Sequence, residues 1–361
     1  MSSTEPLGLL AFKKTVTALN KKWIPKSVLC LQGGYTRRDL VSDLIAGLTV
    51  GLVALPLAMA FGIASGVTPQ AGLYTAVVAG FLISGLGGSR LQIGGPTGAF
   101  VVIVAGIIAA HGVSGLLIVT VMAGVILMLM AVTGLGTAVK YIPRPVTIGF
   151  TNGIAVLIAS TQVKDFLGLE TGAIPSEFIL RMRVLVNSLS SVHWPALLVA
   201  SGSLLIILIL PRLTKRVPGS IVALALGTLA VAAFGIPLET IGSKFGGIPT
   251  GLPHVSLPQF RPELIVPLLP AAVTVAMLAA IESLLSAVVA DNMSGDRHNS
   301  NMELLAQGIA NLAVPFVGGI PATGAIARTA TNIRSGARTP ISGMVHALTL
   351  LVILLVAAPL A

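Results

Sequence analysis

The sequence predicts an all-α polytopic membrane protein whose two halves are inverted copies of one another, and three observations carry that reading. Over 361 residues the mean hydropathy is +0.97, with 55% apolar and 9% charged residues, more apolar surface than a water-soluble core can use. Runs of roughly 20 apolar residues, many rich in Gly and Ala, recur along the chain, which suits bilayer-crossing helices that pack closely. The word "GGPTGAF" at 94–100 returns as "GGIPATGAIAR" at 318–328, each time opening a hydrophobic segment too short to cross a membrane.

Before the first apolar run stand Lys13, Lys14, Lys21, Lys22, Lys26, Arg37 and Arg38. Residues 1–40 have no apolar signal core and no small-residue cleavage site, so a cytoplasmic N-terminal segment is expected rather than a leader. Alternate connections continue the basic pattern with Lys140 and Arg144, with Arg212, Lys215 and Arg216, with Arg297, and with Arg334 and Arg338. The opposite connections carry Lys164, Arg181, Arg183, Lys244 and Arg261 mixed with Asp165, Glu170 and Glu177. Positive-inside counting puts the N-terminus in the cytoplasm and the chain in the cell membrane. The net charge of +10 therefore encodes orientation, and no nucleic-acid partner is expected, because the cations lie between spans rather than on one face.

Spans are expected at about 42–65, 69–87, 97–110, 114–134, 145–163, 194–211, 218–235, 264–290, 302–317, 322–333 and 340–360, eleven in all. The third and tenth would rise about 20 Å or less against a hydrocarbon core of about 30 Å. Both follow a stretch with strand-like character, Leu91-Gln92-Ile93 and Phe316-Val317, then a Gly-Gly pair and a proline, which suits a helix N-terminus and not its interior. An extended piece turning into a half-helix inside the membrane is tolerated only where protein or a water-filled cavity surrounds it. Paired interruptions of this kind mark the binding site of inverted-repeat transporters. Thr97 and Thr323 are offset by 226 residues and seven spans, and an odd number of spans inverts the second copy. The first repeat is then 41–235 (spans one to seven), followed by an extracellular loop at 236–262. The second repeat, 263–361, holds four spans, and a complete copy would continue to about residue 455, so the membrane part is expected to be C-terminally incomplete. The stretch 174–192 is too charged to span and reads as an interfacial helix or a connector.

The same offset carries Glu282 onto Pro56, at the level of the half-helix ends. Glu282 follows more than fifteen uncharged residues in "AVTVAMLAAIESLLSAVVAD". An ionisable group at that depth costs about 2.5–3.5 kcal/mol and marks a functional site by default; a structural carboxylate bonded to neighbouring helices is the alternative. As a proton carrier it would be the ion-coupling residue, with Ser286 one turn on supplying an oxygen. Two half-helix N-termini aimed at one cavity give unpaired N–H groups and partial positive charge, an anion site without any side chain. The substrate-binding candidates are the main chains of Thr97, Gly98 and Ala99 and of Gly324, Ala325 and Ile326, with Phe61 and Pro56 as a wall. Arg328, permanently charged, sits in a polar cavity, pairs with Glu282 or snorkels to the cytoplasm.

The histidines His111, His193, His254, His298 and His346 have no zinc spacing, Cys30 stands alone, and nucleotide-binding and nucleophile-elbow motifs are absent from the sequence. No cofactor and no enzyme activity are expected.

The stretches "PLAMAFGIASGVTPQAGLYTAVVAGFLISGLGGSRLQIGGPTGAF" and "ESLLSAVVADNMSGDRHNSNMELLAQGIANLAVPFVGGIPATGAIARTATNIRSGARTPISGMVHA" resemble the SulP family of anion transporters, over roughly residues 37 to 361. The resemblance implies a fold of seven plus seven inverted spans, a core domain moving against a gate domain, and an anion held between the third and tenth spans. It puts Phe61, Thr97, Glu282, Ser286, Gly324, Ala325 and Arg328 on site-lining positions. The sodium-coupled bicarbonate members carry aspartate where this chain has Glu282, which favours a coupling proton over sodium. The family continues with three further spans and usually a cytoplasmic STAS domain, neither present here, and a homodimer of the full-length protein fits the resemblance. The expected function is secondary active transport of a small anion (sulfate, bicarbonate or a dicarboxylate) by proton symport and alternating access. An anion exchanger or an uncoupled channel on the same fold is the alternative; a nucleobase permease is disfavoured by Arg328.

Overall fold

The computed structural model describes residues 23–141, 144–172, 174–175, 177–214, 219–240, 243–244, 255 and 261–356. Lys13, Lys14, Lys21, Lys22, Lys215, Arg216, His254 and most of the expected loop at 236–262 lie outside them. A short helix α1 (Lys26–Gln32) precedes α2 (Arg37–Ala64), which opens with a reciprocal cap between Thr36 and Asp39. Helix α3 (Pro69–Leu86) leads into strand β1 (Gly94–Gly95). A turn of 3-10 helix at Gly98–Phe100 begins α4 (Val101–Val132). Then come α5 (Arg144–Leu167), α6 (Phe178–Asn187), α7 (Trp194–Leu213) and α8 (Gly219–Phe234). The C-terminal part holds α9 (Ile265–Ser294), α10 (Ser300–Ala313), strand β2 (Thr323–Gly324), α11 (Ile326–Arg334) and α12 (Ile341–Val356).

Among the described residues, five helical segments are long and apolar enough to cross a membrane: Arg37–Ala64, Pro69–Leu86, Gly98–Val132, Trp194–Leu213 and Pro262–Ser294. Gly219–Phe234 and Ile341–Val356 are apolar but shorter. The segment at Gly98–Val132 is bent into two parts by Gly112, whose φ of 69° and ψ of −179° leave the helix. That break lies between the expected third and fourth spans, and glycine adopts such a φ without a Cβ clash.

Small residues set the packing of the core around the site. Helices α4 and α10 cross where Gly124 faces the carbonyl of Gly308 and Gly308 faces that of Gly124, so a Cβ on either would press on backbone. Helix α12 lies along α2 and α3, and α9 along α4. The core these contacts enclose, with Phe100, Val104, Leu116, Val275, Leu284 and Leu304 fully or almost fully buried, brackets both copies of the repeated word.

Two expectations about the repeated segments need correction. Phe316 and Val317 belong to a 3-10 turn (Val314–Val317) opened by Pro315, not to an extended strand. The extended residues are Thr323–Gly324, and the second half-helix begins at Ile326 rather than Ala322. The strands also sit on glycine: β1 is the Gly94–Gly95 pair and runs antiparallel to β2, with Gly94 opposite Gly324 and Gly95 opposite Thr323. Glycine allows this crossing because Gly95 takes φ 148° and a Cβ there would strike the guanidinium of Arg328.

Candidate functional site

The two half-helices start at the ends of this strand pair. Thr97 is the residue before the first, with extended φ and ψ, and Ala325 plays the same part for the second. The opening amides of a helix have no intrahelical acceptor, so Gly98 and Ala99 on one side and Ile326 on the other present N–H groups at the crossing. The amide of Ala325 is already engaged: it donates to the carbonyl of Ile93 at 2.8 Å. Gly324 is in the strand pair, and its missing Cβ leaves room for the carboxamide of Gln92, which donates to Ser283 Oγ at 3.0 Å.

Glu282, on α9, meets the first half-helix directly. Thr97 Oγ1 donates to its Oε2 at 2.8 Å. Thr323, the matching threonine, donates instead to the main-chain carbonyl of Ala279 at 2.8 Å. Phe61, half-buried on α2, and Ile158 on α5 both face the space a Cβ on Gly98 would take. Ser286 is fully buried and its hydroxyl shares a hydrogen bond with Thr329 Oγ1 at 3.1 Å.

Arg328 neither snorkels nor forms an ion pair within 4 Å of Glu282. It is 2% exposed and turns back across the crossing, where Nη2 donates to the carbonyl of Pro96. Nη1 is buried beside Gly95 without a hydrogen-bond partner. Its charge therefore stands at the entrance of the first half-helix although it is carried by the second.

Several residues that hold the crossing were missing from the sequence reading. Asn311 clamps Ala322, donating to its carbonyl and accepting from its N–H, both at 2.9 Å. Thr75 Oγ1 accepts from Ile320 N at 2.7 Å. Thr329 Oγ1 accepts from Ile93 N at 3.0 Å, and Asn332 donates to Leu91 O at 2.9 Å. Side chains thus take the place of missing strand neighbours, since a buried backbone group must be paired. Glu303, 1% exposed, accepts from the amides of Gly88 and Ser89 at 2.9 and 3.0 Å and from Gln307 Nε2 at 3.1 Å. A signal was available: Glu303, Gln307 and Asn311 recur every four residues and line one face of α10.

Among the described residues no cluster of His, Cys, Asp or Glu could hold a metal ion. The arrangement has the chemistry a small anion needs: the helix-opening amides of Gly98, Ala99 and Ile326 and the nearby cation of Arg328, with the Glu282 carboxylate, taken by the Thr97 hydroxyl, at its edge. The sequence profile of the Sulfate permease family matches residues 40–361.

The chain belongs to the sulfate permease (SulP) family.

It is 51% identical over 329 residues to "Putative sulfate transporter YvdB" of Bacillus subtilis, covering 91% of this chain and 62% of that protein. It is 38% identical over 335 residues to "Bicarbonate transporter BicA" of Picosynechococcus, covering 90% and 58%. Among solved structures, the transmembrane domain of a cyanobacterium bicarbonate transporter BicA superposes with a TM-score of 0.81 at 37% identity, over 91% of this chain and 84% of that one. The SulP chain described here thus spans about three fifths of the length of these curated relatives. It is a multi-pass membrane protein with the inverted-repeat fold of that domain.

Proposed function

We propose that this protein is a secondary active transporter of a small oxyanion, sulfate or bicarbonate, rather than an enzyme. The anion lies between the two half-helix ends, and Glu282 carries the coupling proton. The observation that carries the reading is the hydrogen bond from Thr97 to Glu282 at the first half-helix end. A protonation change at this carboxylate alters the same residue that opens the anion cradle. The names of the relatives, a sulfate transporter and a bicarbonate transporter, support the substrate class. The cradle itself favours charge and size over identity, because its donors are mostly main-chain amides.

Residues 41–235 and 263–361 act as the two inverted repeats, with the N-terminus in the cytoplasm, as the distribution of Lys and Arg supports. Alternating access then opens the crossing to either side in turn. The test is uptake of radiolabelled sulfate and bicarbonate into liposomes holding the full-length protein. Glu282→Gln preserves an acceptor for Thr97 but not the proton site. It is expected to leave anion binding measurable and to abolish uptake driven by an inward proton gradient. Gradient-driven uptake at the wild-type rate in this variant contradicts the role. Uptake in the wild type that is indifferent to the proton gradient and follows the anion's own or a counter-anion's gradient makes the protein a channel or an exchanger.

A further inference from the structure

A cavity of about 650 Å³ opens at the end of the bundle where α2 finishes and α3 begins, away from the N-terminal helix. Its wall includes Ile63 and Ala64 on α2, and Ser160 and Thr161 on α5. These lie two and three residues beyond Phe61 and Ile158, the two side chains that face Gly98. The first half-helix contributes Ala105 and Ala109. The cavity therefore begins just beyond Phe61 and Ile158 along α2 and α5, and runs beside the first half-helix from Ala105 onward, seven residues past Gly98.

Its ionic lining is Lys164, Arg181 and Lys244 with Asp165. These charges are not equivalent. Asp165 is exposed, and Lys244 is drawn to the exposed Glu239 at 2.9 Å, so water and salt screen them. Arg181 is 4% exposed, with Nη1 donating to Ser160 Oγ at 3.0 Å and Nε to the carbonyl of Pro175 at 3.2 Å. A cation fixed in a low-dielectric wall projects its field further than one in water, and clefts focus such fields. Nε and Nη1 hold Arg181 in the wall, so that it acts there through its fixed charge, and the small apolar residues of the half-helix add no carboxylate to the exposed Asp165.

We propose that this cavity is a docking vestibule for small oxyanions, in which Arg181, assisted by Lys164, holds the anion before it passes Phe61 and Ile158 to the half-helix crossing. The proposal rests on the transport reading for the identity of the ligand, and it gives the segment at 174–192 a role beyond connection.

The experiment uses the full-length protein in membrane vesicles with Ala109→Cys in a background in which Cys30 and every other native cysteine is replaced by Ser, so that one thiol reports the vestibule. Its rate of modification by an anionic methanethiosulfonate (ethylsulfonate) is divided by that of the cationic trimethylammonium reagent, each corrected for reaction with a free thiol. At low ionic strength the ratio is expected to exceed one by roughly fivefold, and Arg181→Gln to lower it roughly threefold. Arg181→Lys is expected to retain the ratio, and Lys164→Gln to lower it by a smaller factor. In uptake assays with radiolabelled sulfate and bicarbonate, Arg181→Gln is expected to raise KM for the transported anion roughly threefold at unchanged kcat. A ratio near one in the parent overturns the vestibule, as does a ratio insensitive to Arg181→Gln. Equal effects of the Lys and Gln variants overturn it as well, because they mark Arg181 as a structural tie. A parent that takes up neither anion but keeps the charge-dependent ratio overturns the transport reading alone.

Discussion

At the first half-helix Thr97 gives its hydroxyl to a side chain, the carboxylate of Glu282; at the second, Thr323 gives its hydroxyl to the backbone, the carbonyl of Ala279, at the same 2.8 Å. The contrast continues beyond the threonines. The first half-helix is apolar, with Val101, Val104 and Ile107 buried. The second buries Arg328, Thr329 and Asn332, and all three reach back to the first segment, at Pro96, Ile93 and Leu91. Two copies of one backbone plan have divided the work. One presents its opening amides at the crossing and ties its hydroxyl to Glu282, and the other braces the first segment and adds the charge. Symmetry of backbone is enough to make two helix ends meet, and asymmetry of side chains is what joins the meeting point to the carboxylate of Glu282.

The comparison can be broken at its support. Asn311 braces the approach to the second strand from α10, and Asn311→Leu strips both partners from the Ala322 peptide groups. Each buried group left unpaired costs about 1–3 kcal/mol, so a loss near 3 kcal/mol is expected. It should be read as a lowered thermal midpoint of the purified protein, with anion binding lost in parallel. A smaller effect is expected from Arg328→Ala, which removes the charge and the Pro96 tie together. Equilibrium binding of the transported anion should weaken by roughly 30-fold, or about 2 kcal/mol.

Bulk at either helix end sharpens the comparison. Gly98→Leu at the first and Ala325→Leu at the second should each fill the space an anion needs and weaken binding by about tenfold, ~1.4 kcal/mol. Wild-type affinity in both would put the site elsewhere. The smallest effect belongs to Arg334→Ala and Arg338→Ala. Both side chains are exposed, and Arg338 reaches Asp39 only at 3.4 Å across a partly exposed gap. Binding should stay within about twofold of wild type, against the large loss in Arg328→Ala; three equal losses would erase the distinction between cradle charge and orientation charge.

The parts legible in the sequence are those governed by local rules. Glycine and proline punctuate helices, so the paired words marked both breaks, and an unpaired carboxylate in an apolar run marked Glu282. The break at Gly112 followed from the shortness of the third apolar run. What was not legible depends on partners far along the chain. The direction of Arg328 is set by a carbonyl 232 residues earlier, and the loss of the Ala325 amide to Ile93 follows from a strand pairing only two residues long. Phe316 and Val317 have the apolar character of a strand, but Pro315 sets φ for a turn and the glycines that follow release the chain. Arg181 was readable as a charge and unreadable as a wall, because only the fold brings α6 against Ser160.

The claim on which the rest depends is that an anion occupies the crossing of the two half-helices. Its most direct test is a thiol at residue 325 in the full-length protein, in a background in which Cys30 and every other native cysteine is replaced by Ser, labelled by a membrane-impermeant reagent with and without the transported anion. The account predicts labelling that proceeds only when the crossing is open to the reagent and that saturating sulfate or bicarbonate slows by about tenfold, while a thiol at the exposed residue 334 reacts at the same rate throughout. Labelling at residue 325 that ignores both anions, while uptake of one of them persists, would contradict it.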